Sequence, residues 1–161
     1  MISIKPWICY MITSLDSNKT YIGSTNDQYK RLKNHNSSKG AKYTKGQIWI
    51  PIVLISGFKN KYECLSFEAG WKKLAKKRSN KRFDIINNFA NNKLEYLSDT
   101  KWNRIMDLVY FVNHFTMIGT HFKMNNLWKY PINSPDKLFI EIIWQDWVNE
   151  LPWPYFCEIS F

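Results

Sequence analysis

Apolar residues run almost unbroken from Trp7 to Thr13, with Ile8, Cys9, Tyr10, Met11 and Ile12 in the middle, which predicts a strand. Asp16-Ser17-Asn18-Lys19 has the composition of a turn, and Thr20-Tyr21-Ile22-Gly23 reads as a second short strand. Two strands joined by a short polar loop suggest an antiparallel hairpin. Ser24 to Asp27 offer N-cap side chains for a helix from Asp27 to His35. Tyr29 and Leu32 share one face of that helix, and Lys30, Arg31 and Lys33 surround the rest. Asn36 to Gln47 is polar and basic, as a loop would be. Ile50 to Ser56 is apolar and β-branched, a buried strand ended by the turn Ser56-Gly57. Lys61 to Lys77 is a strong helix, with Leu65, Glu68, Ala69, Lys72 and Lys76 at helical spacings.

The second half is patterned differently. Asp84 to Leu97 reads as helical. Asp99 can cap a further helix whose Trp102, Ile105, Met106, Val109, Val112 and Phe115 form an apolar stripe suited to a core. Lys123 to Pro135 is irregular. Leu138 to Trp147 fits helix or strand equally well, and Pro152 and Pro154 end any regular element there. No internal repeat is visible.

Charge divides the chain at the same place. Met1 to Arg82 holds 17 Lys and Arg against 4 Asp and Glu, whereas Phe83 to Phe161 holds 6 against 9. A net charge of +10, all of it from the first half, points to a polyanion bound there. Lysine outnumbers arginine 19 to 4, as A/T-rich coding would favour, which discounts the charge without removing it. Seven basic residues between Lys72 and Arg82 mark the boundary, as a helix end or an exposed linker. The longest apolar run, Trp49 to Ile55, is far short of the roughly 18 residues of a membrane span. The N-terminus lacks the apolar core of a signal peptide, so an intracellular protein, nuclear or cytoplasmic and not secreted, is expected. Cys9, Cys64 and Cys157 stand far apart with no CxxC pair, which excludes a zinc ribbon or RING and argues against a disulfide framework.

The basic half also carries side chains suited to phosphodiester chemistry: Tyr10, Tyr21, Arg31, His35 and Glu68. Arg31 and His35 lie one helical turn apart and can share a face. A tyrosine can hold or transfer a proton, an arginine can grip two phosphate oxygens, and a carboxylate can hold one Mg²⁺. Composition and spacing by themselves reach a basic nucleic-acid-binding α/β domain and stop there.

Ile8-Cys9-Tyr10, followed eleven residues after the tyrosine by Tyr21-Ile22-Gly23, resembles the paired motif of the GIY-YIG nucleases. Lys30 to Asn36 resembles that family's helix bearing an arginine and a histidine. Gly40 to Gly46, then Trp49 and the strand to Phe58, resembles the segment leading into the third strand. Leu65 to Trp71 resembles the helix with the family's metal-binding glutamate. The likeness spans Trp7 to Lys77 and is greatest to the Slx-type subunits that cut branched DNA. Two departures stand out. Ile8 replaces the leading glycine, with Cys9 in the middle position, and an aromatic extension replaces the zinc-binding RING through which Slx-type subunits dock.

The resemblance implies an α+β nuclease domain over residues 1–82, a three-stranded antiparallel sheet flanked by helices. Residues 83–161 are then a mainly helical extension packed on it. The implied activity is a divalent-metal-dependent DNA endonuclease hydrolysing phosphodiester bonds in flaps and four-way junctions, as in DNA repair and recombination. Tyr10 is the general base or a relay to it, and Tyr21 positions water or phosphate. Arg31 binds the scissile phosphate, His35 assists proton transfer or holds the phosphate, and Glu68 binds one Mg²⁺ or Mn²⁺. Lys39, Lys42, Lys45, Lys72 and Lys76 are expected to contact DNA phosphates. A protein partner or a second copy of the chain would use the aromatic half, and no membrane is involved. Two other readings use the same residues: a non-cleaving nucleic-acid-binding module with this fold, and a homing- or restriction-like enzyme reading a sequence. The second normally needs a further basic reading domain, which the acidic second half does not offer.

Overall fold

The first apolar run becomes strand β1 (Ile8–Ser14) of a computed structural model that describes residues 5–15, 19–37, 48–76, 100–118, 121–124, 138–143, 151–154 and 157–160. β1 pairs antiparallel with β2 (Thr20–Thr25), setting Tyr10 opposite Gly23 and Ile12 opposite Tyr21. On its other side it pairs antiparallel with β3 (Trp49–Ser56). With neighbours on both edges, β1 sends alternate side chains to opposite faces. Cys9 and Met11 enter the larger core, while Tyr10 and Ile12 join Trp49 in a smaller one.

The smaller core is covered by α1 (Gln28–Asn36). Asp27 caps this helix by accepting from the Lys30 backbone N–H at 3.1 Å, and Thr25 Oγ1 accepts from the Asp27 N–H at 3.0 Å. Leu32 packs inward, but Tyr29 is 81% exposed and does not share its face. The inward stripe centres on His35 with Arg31 and Leu32 on either side, which leaves position 29 well round the helix. Asn36 then clamps the start of β3. Its side chain donates to the Trp49 carbonyl at 3.1 Å and accepts from the Trp49 N–H at 2.7 Å.

The larger core lies on the opposite face, under α2 (Lys61–Lys76) and α3 (Thr100–His114). Asn60 caps α2 by accepting from the Glu63 N–H at 2.9 Å. Trp102, Ile105, Met106, Val109 and Val112 of the expected stripe are buried, and so are Leu108 and Phe111 between them. Every residue from Ile105 to Val112 is buried, so this part of the helix lies inside the core. It is fixed to α2 by Trp71 Nε1, which donates to the Arg104 carbonyl at 2.9 Å. Phe111 also meets Phe67 edge to face at 4.9 Å. The buried Asp107 is balanced by Arg104 at 2.9 Å. All three cysteines are buried free thiols, and burial pushes their pKa values up, Cys64 to about 11.

The class is mixed α and β as expected, but the sheet has five strands in the order β2-β1-β3-β6-β7, where three were expected. The second half supplies the difference. After α3 come a hairpin of β4 (Phe115–Ile118) and β5 (His121–Met124), then β6 (Leu138–Ile142) and β7 (Cys157–Ser160). Among the described residues the extension is therefore as much strand as helix. β6 pairs antiparallel with β3, and β7 runs parallel to β6. The run from Leu138 was ambiguous because its alternation is short. Leu138, Ile140 and Ile142 point inward, while Phe139 and Ile143 remain about half exposed. Pairing with β6 also satisfies the backbone groups that β3 would otherwise present at an edge. β3 carries Pro51 even so. The register shifts there, Met11 facing Val53 and Ile12 facing Pro51, so that Ile52 is the extra residue of a bulge. A bulge tolerates a residue with no N–H to donate, and the Ile52 carbonyl accepts instead from the Ile143 N–H at 2.8 Å.

The expected turn at Asp16–Asn18, most of the loop to Gln47, the boundary between Arg82 and Phe83 and the helix from Asp84 to Leu97 lie outside the described residues. So do the cap at Asp99, Trp144 and Trp147.

Gly70 of α2 faces Phe111, and a Cβ there would stand 2.5 Å from the phenyl ring. Gly70→Ala should therefore destabilise the protein by about 1–3 kcal/mol. The direction opposes the gain of about 1 kcal/mol that alanine brings to a helix interior. Urea unfolding checks the sign. In a Phe111→Leu background the penalty should shrink, because the obstructing ring is gone.

Candidate active site

Register alone brings the two motif tyrosines together. Tyr10 and Ile12 on β1 lie opposite Gly23 and Tyr21 on β2, so both phenols emerge on the α1 side of the sheet. Their ring centroids are 6.4 Å apart. Gly23 makes room for this: a Cβ there would be 2.5 Å from Tyr10 Oη and 3.0 Å from the Tyr21 ring. Sequence reasoning quoted Gly23 only as part of a motif. Its service to Tyr10 depends on the strand register, which the sequence does not display.

α1 presents Arg31 and His35 to these phenols, one turn apart as expected. Arg31 Nε donates to Tyr10 Oη at 3.1 Å, and Arg31 Nη2 donates to Tyr21 Oη at 3.5 Å. His35 Nε2 lies 2.9 Å from Tyr10 Oη, and the imidazole stacks at a tilt on Tyr21 with centroids 4.9 Å apart. Tyr10 is thus the hub, touched by both helix residues.

Burial sets the protonation states. It pushes the Tyr10 pKa up to about 12, with the Arg31 hydrogen bond and charge pulling the other way and Tyr21 and Glu68 adding to the rise. Burial and the Arg31 charge together lower His35 to about 4. Burial also works against the Arg31 cation, but the bonds to Tyr10 and Tyr21 outweigh it and hold its pKa above the ordinary value. At neutral pH Tyr10 is therefore a phenol, His35 a neutral imidazole and Arg31 a cation. Arg31 donates to the phenol oxygen, and the Tyr10–His35 bond then runs from Oη to Nε2 when the imidazole proton is on Nδ1, and from Nε2 to Oη when it is on Nε2.

Glu68 approaches from α2. Its Oε2 accepts from Lys72 Nζ at 2.7 Å, one helical turn on, and that ammonium lies 5.3 Å from the centre of the Tyr21 ring. Lys72, expected among the DNA-contacting lysines, thus sits between Glu68 and Tyr21. Lys76, a turn further along, borders the open groove beyond Tyr21. Lys39, Lys42 and Lys45 lie outside the described residues. Among the described residues no three His, Cys, Asp or Glu side chains converge, so a metal ion would rest on Glu68 with water and substrate oxygens around it. A single hard carboxylate, largely shielded from solvent, suits Mg²⁺ or Mn²⁺, which keep several waters.

Two consequences can be measured. The His35 pKa is about 4 folded and 6.5 unfolded, so between these values the unfolded chain binds more protons. Stability should thus fall as pH drops from 6.5 towards 4, by up to about 1.4 kcal/mol per pH unit from this group. Urea titrations across that window should show the slope, and His35→Gln should reduce it. Gly23→Ala should displace the Tyr10 ring at a cost of about 1–3 kcal/mol in the same assay.

Similarity to known proteins agrees with this geometry. Residues 6–82 match the family model described as the GIY-YIG catalytic domain. The chain is 58% identical to the uncharacterized protein L300 of Acanthamoeba polyphaga mimivirus, over 96% of this chain and 98% of that one. It is 40% identical to a UPF0213 protein of Streptococcus pneumoniae over 50% of this chain and 79% of the other. With the structure-specific endonuclease subunit SLX1 of Malassezia globosa it shares 42% identity over 42% of this chain but 16% of that longer protein. The tyrosine pair on adjacent strands, the arginine and histidine one helical turn apart, and the matched domain agree, and the chain belongs to the GIY-YIG nuclease family.

Proposed function

We propose that the protein is a divalent-metal-dependent DNA endonuclease that hydrolyses phosphodiester bonds in branched DNA. The observation that carries this is Tyr10 Oη, bonded at once to Arg31 Nε at 3.1 Å and to His35 Nε2 at 2.9 Å. A buried tyrosine kept only for packing is satisfied by one hydrogen bond and needs no cation and imidazole together. Preference for branched substrates rests on the likeness to SLX1 subunits, named as structure-specific endonucleases.

In this proposal Arg31 binds the scissile phosphate. Its Nε is committed to Tyr10 and one Nη2 N–H to Tyr21, and its other N–H groups turn to phosphate oxygens, whose charge grows in the transition state. Tyr10 is a poor base by itself, because burial has raised its pKa to about 12. The neutral His35 resolves this: as Tyr10 takes a proton from the attacking water, its own proton passes to Nε2. No free phenolate forms, and Tyr10 acts as the relay, His35 as the acceptor. Tyr21, fixed by Arg31 and Lys72, orients the water or the phosphate. Glu68 would hold Mg²⁺ or Mn²⁺, which supplies charge stabilisation at the leaving 3′ oxygen. Lys72 then moves from Glu68 to a substrate phosphate, and Lys39, Lys42, Lys45 and Lys76 extend the backbone contact. A protein partner or second copy would meet the exposed Phe139 of β6 and Ile143 just after it. The nuclease segment is residues 1–82, with 83–161 as its covering extension.

Cleavage of matched duplex, flap and four-way-junction DNA, with and without Mg²⁺, tests the reading. Cutting of branched forms with Mg²⁺ is expected, and no cutting of any of them would overturn it. Arg31→Ala should lose at least about 2.7 kcal/mol of transition-state stabilisation, and Arg31→Lys should recover only part, since the fork is gone. Glu68→Gln should abolish cleavage while DNA affinity stays within a few-fold. Full Mg²⁺-dependent activity in that variant would sink the metal assignment.

A further inference from the structure

Beyond Tyr21 the site opens into a groove of about 370 Å³ between β2 and α2, lined by Thr20, Tyr21, Ile22, Lys72, Lys76 and Arg104. Arg104 alone among these comes from the extension, on α3. We infer that this groove is a second phosphate subsite, in which Arg104 and Lys76 hold the DNA backbone next to the scissile phosphate. The acidic second half thereby contributes directly to substrate binding. The inference rests on the proposed DNA substrate and assigns a residue to it that neither the motifs nor the charge distribution indicates.

Three observations lead to it. The groove shares a wall with the candidate active site: Tyr21, bonded to Arg31 Nη2 on one side, also lines the groove. A strand whose phosphate lies at Arg31 therefore runs into the groove. Next, the groove's charged side chains are all cationic, Lys72, Lys76 and Arg104, in a chain of net charge +10. Finally, Arg104 is held in position. Its Nη1 donates to the buried Asp107 at 2.9 Å, and its own carbonyl is anchored by Trp71 Nε1 at 2.9 Å. One N–H of the guanidinium fork is bound to Asp107, and the fork carries five. A pre-positioned guanidinium loses less freedom on binding phosphate than a mobile lysine does. Lys76, on the facing helix, completes a two-sided clamp.

The test uses the full chain and flap DNA, with affinity measured by fluorescence anisotropy across a salt series and cleavage measured separately. Arg104→Gln should weaken binding about tenfold and reduce the log–log salt slope by about 0.7–0.9, the value of one phosphate contact. KM should rise with kcat nearly unchanged, and Arg104→Lys should restore most of the slope. Lys76→Gln should repeat the slope change without disturbing the Asp107 pair, so the subsite is tested even if Arg104→Gln folds poorly. Lys101→Gln, the same charge change on α3 outside the groove, should leave the slope near the wild-type value. Equal losses in Lys101→Gln and Arg104→Gln, or no loss in Arg104→Gln and Lys76→Gln, would overturn the inference while the nuclease reading stands. Arg104-dependent binding with no cleavage of any substrate would overturn the nuclease reading and leave the subsite in place. Absence of DNA binding by the wild-type chain would overturn both.

Discussion

Everything in this molecule turns on β1 being covered on both faces and both edges. A strand alternates its side chains with period 2, so a single stretch of sequence must serve two environments at once. Cys9 and Met11 go to the large core under α2 and α3, and Tyr10 and Ile12 go to the side covered by α1. The backbone that carries the Tyr10 phenol is therefore held in place: it cannot shift without moving a strand that two neighbours and two cores hold in register. A one-residue slip would put Tyr10 into the apolar core and Cys9 at the site.

The same burial that fixes Tyr10 determines what it can do. Removing a phenol from water makes its anion costly, and removing an imidazole from water makes its cation costly. Both groups are thus driven neutral at rest, with Tyr10 Oη and His35 Nε2 2.9 Å apart. Arg31 adds a permanent cation, donating to the Tyr10 oxygen at 3.1 Å. The altered first motif fits this picture. Cys9, in the middle position of that motif, lies on the β1 face away from the site and answers to packing, whereas Ile8 shares the face of Tyr10 and Ile12.

Legibility in the sequence followed the range of the interactions. β1, β2, α1, β3 and α2 were readable because their signals are local: apolar runs, a capping aspartate, turn glycines, spacing along one helix. Arg31 and His35 were readable as a pair because a helix places i and i+4 together. The resemblance to a family supplied the link from these to Tyr10, Tyr21 and Glu68, which no spacing rule could have joined. What escaped was tertiary. Tyr29 looked like the partner of Leu32 until the position of His35 set the inward face. β6 stays open between helix and strand because Leu138–Ile142 is too short to show its period and its pairing with β3 spans more than half the chain; β7, which pairs with β6 alone, is hidden. Lys72 read as one lysine of a basic run, and only the fold reveals that it stands between Glu68 and Tyr21. Arg104 carried no signal, being a lone cation in an acidic segment.

The place of β3 in the sheet has a bearing on how the chain is made. β3 is flanked on one side by β1, which precedes it, and on the other by β6, which follows some eighty residues later. During synthesis from the N-terminus the first three strands can assemble while β6 is still absent, leaving β3 as a temporary border of the sheet. Such borders invite pairing with other chains. The proline and the bulge lie in the ladder with β1, and Val53 to Ser56 keep a regular register towards β6. The temporary border is therefore a regular row of donors and acceptors over these four residues, open until the chain's own later strand arrives.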